Sequence, residues 1–144
     1  MDLFKAMEIS ASGLRAQRTR VEAISSNLAN VATTRADEGG PYRRRETVFA
    51  SDPFSTPFSN LLTGSMGKDP PGVKAEVVES EGEMKEIYDP SHPDADERGY
   101  VMLPNVNLVE EMVDLLSALR NYEANVTAFN SAKSMVMKAL EIGK

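Results

Sequence analysis

The stretch "SNLANVATT" (26–34) decides the fold. Apolar residues recur through it at helical spacing: Ile24, Leu28 and Val31 fall 4 and 3 residues apart. Yet no residue from Ala23 to Thr34 carries a charge. A helix face that meets water ordinarily shows Lys and Glu. This one shows Ala, Ser, Asn and Thr, so the helix is expected to have a second covered face.

Working back toward the N-terminus, the same 4-and-3 spacing runs through Leu3, Met7, Ser10, Leu14, Gln17, Val21, Ile24, Leu28 and Val31. Seven of these nine are apolar, which predicts a coiled-coil-like seam on an N-terminal helix within residues 1–36. The other end of the chain repeats the pattern. Leu108, Met112, Leu115, Leu119, Tyr122, Val126, Phe129, Lys133, Val136 and Leu140 alternate in the same way, and nine of ten are apolar or aromatic. Pro104, then Asn107 with Glu110 three residues on, predicts a capped start, and Gly143 predicts the stop. The C-terminal segment, 105–144, is therefore a second long helix. It too has an uncharged run, "ANVTAFNSA" (124–132).

The middle, 37–104, is different in kind. All 8 prolines lie between residues 41 and 104. Short β-favouring runs occur at 42–49, 73–78, 84–88 and 100–103, and Val73, Ala75 and Val77 alternate with Lys74 and Glu76 as in a half-buried strand. Ser, Pro, Gly and Asp dominate 50–72, which reads as a mobile loop. The expected fold is mainly α with a small irregular β insert. The two terminal helices are expected to form an antiparallel, coiled-coil-like pair.

Composition excludes several functions. Residues 37–104 carry 7 basic and 14 acidic groups, which opposes nucleic-acid or anionic-membrane binding. No run approaches the roughly 20 apolar residues of a membrane span. No basic start with an apolar run marks a leader peptide. With no Cys, one His and no glycine-rich phosphate loop, the chain offers no catalytic constellation and no cofactor site. Asp89, His92, Asp94 and Asp96 are metal-type ligands, but they lack the Gly and terminal Glu of a calcium loop, so no metal site is expected. A self-packing subunit and a soluble helical adaptor or chaperone-like protein both remain open on these grounds. The small polar residues Ser25, Ser26, Asn27, Asn30, Asn121, Asn125 and Asn130 are the candidate contacts to neighbouring subunits.

The segments "ISASGLRAQRTRVEAISSNLANVATTR" (9–35), "EGGPYRRRETVF" (38–49), "YDPSHPDADERGYV" (88–101), "PNVNLVEEMVD" (104–114) and "RNYEANVTAFNSAKSM" (120–135) resemble the bacterial flagellar axial proteins, within them the proximal rod subunits of the basal body. "SSNLAN" (25–30) is the most diagnostic piece. The resemblance implies a structural, non-enzymatic subunit. It would assemble with itself and other proximal and distal rod subunits into a hollow periplasmic tube that carries torque and passes exported subunits. It implies passage through the flagellar type III export machinery without a cleaved signal, and contact with an adaptor at the export gate and membrane ring. Terminal helices that are disordered in the free subunit and fold on assembly are implied too. Arg43 and Arg44 would then lie at subunit contacts.

Overall fold

A computed structural model describes residues 3–36, 39–52 and 72–142. The order is α1 (Leu3–Ala29), β1 (Arg45–Asp52), β2 (Gly72–Glu79), β3 (Lys85–Tyr88), β4 (Tyr100–Leu103) and α2 (Leu108–Ile142). The chain is thus two long helices bracketing two small two-stranded sheets, β1–β2 and β3–β4. Most of the expected 50–72 loop, residues 53–71, lies outside the described residues. The remaining positions at its two ends, 50–52 and 72, belong to β1 and β2.

Helix α1 stops earlier than the apolar pattern does, so Val31 lies beyond its end. Asn30 explains the stop. Its Nδ2 donates to the Ser26 carbonyl at 2.8 Å, its Oδ1 accepts from Thr33 Oγ1 at 3.1 Å, and its own carbonyl accepts from Thr33 N at 3.0 Å. The Ser26 carbonyl still accepts its helical bond from Asn30 N at 3.1 Å, but the Asn30 carbonyl accepts from Thr33 N, three residues on, so the helix closes in a tight turn that the Asn30 side chain braces. The chain then reverses through Gly39 and Gly40, both at positive φ (83° and 86°), closed by Ala36 N donating to Gly40 O at 2.7 Å. Two consecutive positive φ values are ordinary only for glycine.

Helix α2 starts at Asn107. Its Oδ1 accepts from Val109 N at 3.2 Å, and its carbonyl accepts from Glu111 N at 3.0 Å. The 35 residues that follow make a rod of roughly 52 Å at 1.5 Å per residue. Strands β3 and β4 are antiparallel, with Lys85 opposite Leu103, Ile87 opposite Val101 and Tyr88 opposite Tyr100.

The described residues fall into two compact units. One draws on Met1–Thr19, Phe49–Glu76 and Leu119–Lys144, the other on Arg20–Val48 and Val77–Ala118. In the first, Ser12 and Ala16 are buried on α1 and Ala132 on α2. Gly13 abuts Asn125, and Ser12 Oγ accepts from Val73 N at 3.0 Å. In the second, Ala23, Ile24, Asn27, Tyr42, Val101, Val106, Glu111 and Ala118 make the core. Arg20 pairs with Asp114, and Asn27 with Glu111, so here α1 and α2 run in opposite directions.

Candidate assembly surface

The buried positions Glu111, Ala118 and Ala132 recur at multiples of seven along α2, and Ala16 and Ala23 are seven apart on α1. Small and polar residues occupy these inward positions. The large apolar residues are elsewhere. On the first three turns of α2, Val109 (68% exposed), Val113 (62%), Leu116 (59%) and Met112 (54%) stand in solvent, while Glu111 (1%) is buried. This is an amphipathic helix turned inside out.

Burying Glu111 demands partners, since an unpaired interior carboxylate is costly. The sequence supplies them from two distant segments. Arg44 Nε donates to Glu111 Oε1 at 2.6 Å, and Asn27 Nδ2 donates to Glu111 Oε2 at 3.0 Å. Asn27 also pairs with the backbone of Arg45. Its Nδ2 donates to Arg45 O and its Oδ1 accepts from Arg45 N, both at 2.8 Å, as a neighbouring strand would. Tyr42 Oη adds a bond to Asn27 Oδ1 at 2.9 Å and lies 3.0 Å from Ser26 Oγ. Asn27, wholly buried, thus uses both donors and both acceptors.

Arg44 extends the network. It bonds Glu46 Oε1 at 2.6 Å and lies 3.9 Å from Asp114 Oδ2, and Asp114 Oδ1 accepts from Arg20 at 3.1 Å. Its backbone N donates to Asn105 Oδ1 at 3.1 Å. Burial alone would lower the Arg44 pKa. The hydrogen bond to Glu111 and the charges of Glu111, Glu46 and Asp114 outweigh it, so the net shift is upward and the guanidinium stays charged.

This network gives two of the expected subunit contacts partners within the chain. Asn27 and Arg44 face inward and find their partners within the chain. Ser26 is half-buried beside Tyr42, and Asn30 serves the end of its own helix. Nor do small polar residues in a helix always need a neighbour. Ser10, Ser12, Thr19 and Thr127 each bond a carbonyl three or four residues back in their own helix. Asn125 is half-buried against Gly13, whereas Ser25, Arg43, Asn121 and Asn130 are exposed.

The expected seam is distributed unevenly. Among its described side chains only Ile24 is buried. Met7, Leu14, Val21, Leu28, Val31, Leu115, Val126, Phe129 and Val136 are half-buried. Leu108, Met112, Leu119, Tyr122 and Leu140 are exposed, and the Leu3 side chain lies outside the described set. Sequence reasoning missed Glu111, Asp114 and Asn105 altogether. The signal was available: Glu111 is a charge set among Leu108, Val109, Met112, Val113 and Leu115, on a helix whose partner segment holds three arginines.

The connector 89–99 uses its acidic residues to order itself. Asp89 Oδ1 accepts from Ser91 N and Oγ, Asp96 Oδ1 accepts from Arg98 N and Tyr100 N, and Asp94 Oδ2 accepts from Thr34 Oγ1. Among the described residues no helix is long and apolar enough to cross a membrane.

Two family models match the chain. "Flagella basal body rod protein" matches residues 7–36, and "Flagellar basal body rod FlgEFG protein C-terminal" matches residues 97–142. These are the two helical ends. Full-length similarity joins them. The chain is 48% identical to the flagellar basal-body rod protein FlgC of Bacillus subtilis, over 100% of both chains. It is 47% identical to that of Borreliella burgdorferi, over 99% of this chain and 98% of the relative. It is 39% identical to that of Salmonella typhimurium, over 100% of both.

Proposed function

The chain belongs to the flagellar basal-body rod protein family, in its FlgC branch, and on that premise we propose how it is built to assemble. It is a structural subunit of the basal-body rod and not an enzyme. Helix α2 offers its outward apolar stripe to helices of neighbouring subunits, both copies of this chain and other rod proteins. One observation carries this reading: Met112, Val113 and Leu116 are exposed on the turns whose inward side is Glu111, Leu115 and Ala118. An exposed apolar face of this kind marks an interaction site. Burying three such side chains stabilises a contact by roughly 1.5–3 kcal/mol each.

In this reading the terminal segments 1–36 and 105–144 form the inner α-domain of a hollow tube. The tube conducts exported subunits and transmits torque through packed helices. The subunit reaches the periplasmic rod through the flagellar type III export machinery, and its base meets the export-gate and membrane-ring adaptor. The middle segment 37–104 supplies the outer contacts.

Leu116→Asp tests the assembly face. The side chain touches solvent in the single chain, so the substitution leaves export and accumulation unchanged. In the rod it places an unpaired charge in an apolar contact. The variant should be made and exported yet be missing from purified basal bodies, leaving the cells without filaments. Wild-type incorporation of Leu116→Asp would overturn the reading.

A further inference from the structure

We infer that neighbouring copies of this chain join through a socket and a tip: an arginine-lined cavity beside the end of α1 on one copy receives the Glu97–Arg98 turn of the next. The inference rests on the assembly reading above and names one of its contacts.

The socket is a cavity of about 390 Å³ whose lining includes Thr33, Tyr42, Arg43, Arg45 and Glu79. Arg43 is exposed, and no carboxylate pairs with Arg43 or Arg45 among the described residues. The Arg45 guanidinium lies 5.8 Å from the Tyr42 ring centroid and has no other partner there. Arg44, between them, turns to Glu111. The alternation of an extended segment thus sends one arginine into the core and leaves its two neighbours facing outward. Arg35 also lines the cavity but leans on Asp94 at 3.7 Å. Glu79 contributes the one described negative charge of the lining and has no ion-pair partner.

The tip is built rigid. Asp96 Oδ1 accepts from Arg98 N at 2.9 Å and Tyr100 N at 2.8 Å. Gly99 N donates to Asp96 O at 3.0 Å, and Asp96 N donates to Tyr100 O at 2.9 Å. Gly99 has φ +82°, and a Cβ there would lie 2.9 Å from Tyr88 Cε2, so the turn admits little else. The Glu97 and Arg98 side chains are exposed and have no ion-pair partner among the described residues. A loop already ordered in the free chain loses little entropy on docking.

The charges correspond. The tip presents one negative and one positive group in sequence, and the socket presents two arginines and one glutamate. Glu97 entering between Arg43 and Arg45 brings Arg98 toward Glu79. The two surfaces are made of different residues, although Arg35 and Pro41 border both the socket and the cavity beside Arg98, so a contact in which one copy's tip enters the next copy's socket is heterologous. Repeating it generates a ring or a helix, as a rod requires.

The protein has no cysteine, which gives a clean cross-linking background. Copies bearing Arg43→Cys and copies bearing Glu97→Cys, made together and purified in basal bodies, should form a dimer with a short bis-maleimide. Neither variant alone should form it. In parallel, Glu97→Arg, or Arg43→Glu with Arg45→Glu, should each cut incorporation by about tenfold, and combining all three should restore most of it. A Glu83→Lys control, at an exposed position that lines neither surface, should leave incorporation unchanged. Loss without rescue, or no cross-link between incorporated copies, overturns the socket and tip. Absence of the unmodified chain from basal bodies would instead overturn the assembly reading beneath it.

Discussion

Asn27→Asp is the sharpest perturbation of the buried network, because it changes one NH2 to one oxygen and almost nothing in shape. The new carboxylate still accepts from Arg45 N and Tyr42 Oη. It can no longer donate to Arg45 O or to Glu111 Oε2. Two lost hydrogen bonds cost about 0.5–1.5 kcal/mol each. The larger effect is charge. Two carboxylate oxygens meet at the 3.0 Å now spanned by a hydrogen bond. At an effective dielectric of about 20 their repulsion is about 5 kcal/mol. Protonation or a shift of Glu111 relieves some of this, which leaves about 4 kcal/mol. That is a large share of a domain's typical stability of 5–15 kcal/mol. Competition in cells reads the effect. Differently tagged wild-type and Asn27→Asp chains are produced at equal levels, and their ratio is measured in purified basal bodies. A penalty of 4 kcal/mol corresponds to roughly a thousandfold preference for wild type. Adding Glu111→Gln to the same chain returns a donor between the two side chains and should recover part of the loss. Equal incorporation of Asn27→Asp and wild type would refute the claim that this network holds α1, β1 and α2 together.

Two further substitutions probe packing at glycines. In Gly13→Ala the new Cβ would lie 3.1 Å from Asn125 Oδ1. The usual helix gain of about 1 kcal/mol should be cut in the wild-type background and appear in full with Asn125→Ala, measured by the same competition; equal gains in both backgrounds would contradict the close approach. Gly99→Ala forces a positive φ on a residue with a Cβ that meets Tyr88 and Pro90. It should cost about 1–3 kcal/mol and speed proteolytic cleavage within 89–99, whereas an unchanged rate would mean that the turn is held by other means.

Much of the architecture was legible in the sequence because it depends on local chemistry. Asn107 caps α2 as its position before the apolar run suggested. The β-favouring runs became β1 to β4 with their ends shifted by a few residues. The direction of the helix faces was not legible in the same way. Counting Leu, Met and Val by sevens finds a seam, but it cannot say whether that seam closes within the chain or against another. Glu111 decides that within the chain, and its role depends on Asn27 and Arg44, which lie 84 and 67 residues away. No local pattern reports such a pairing. The end of α1 was missed for a related reason: Leu28 and Val31 continue the apolar spacing, while the Asn30 carbonyl bonds Thr33 N and its side chain ties Ser26 O to Thr33 Oγ1, closing the helix in a tight turn.

The central claim is that the outward stripe of α2 is covered only when subunits meet. Its most direct test is the accessibility of one position in both states. Leu116→Cys introduces the only thiol in the chain. Maleimide labelling is then compared between soluble full-length subunit and purified basal bodies, each normalised to the same protein labelled after denaturation. Leu116→Cys should label rapidly in the free subunit and at least about tenfold more slowly in the rod, where neighbouring side chains exclude water from it. Equal labelling in the two states would show that the apolar stripe faces water in the assembled rod and would contradict the account.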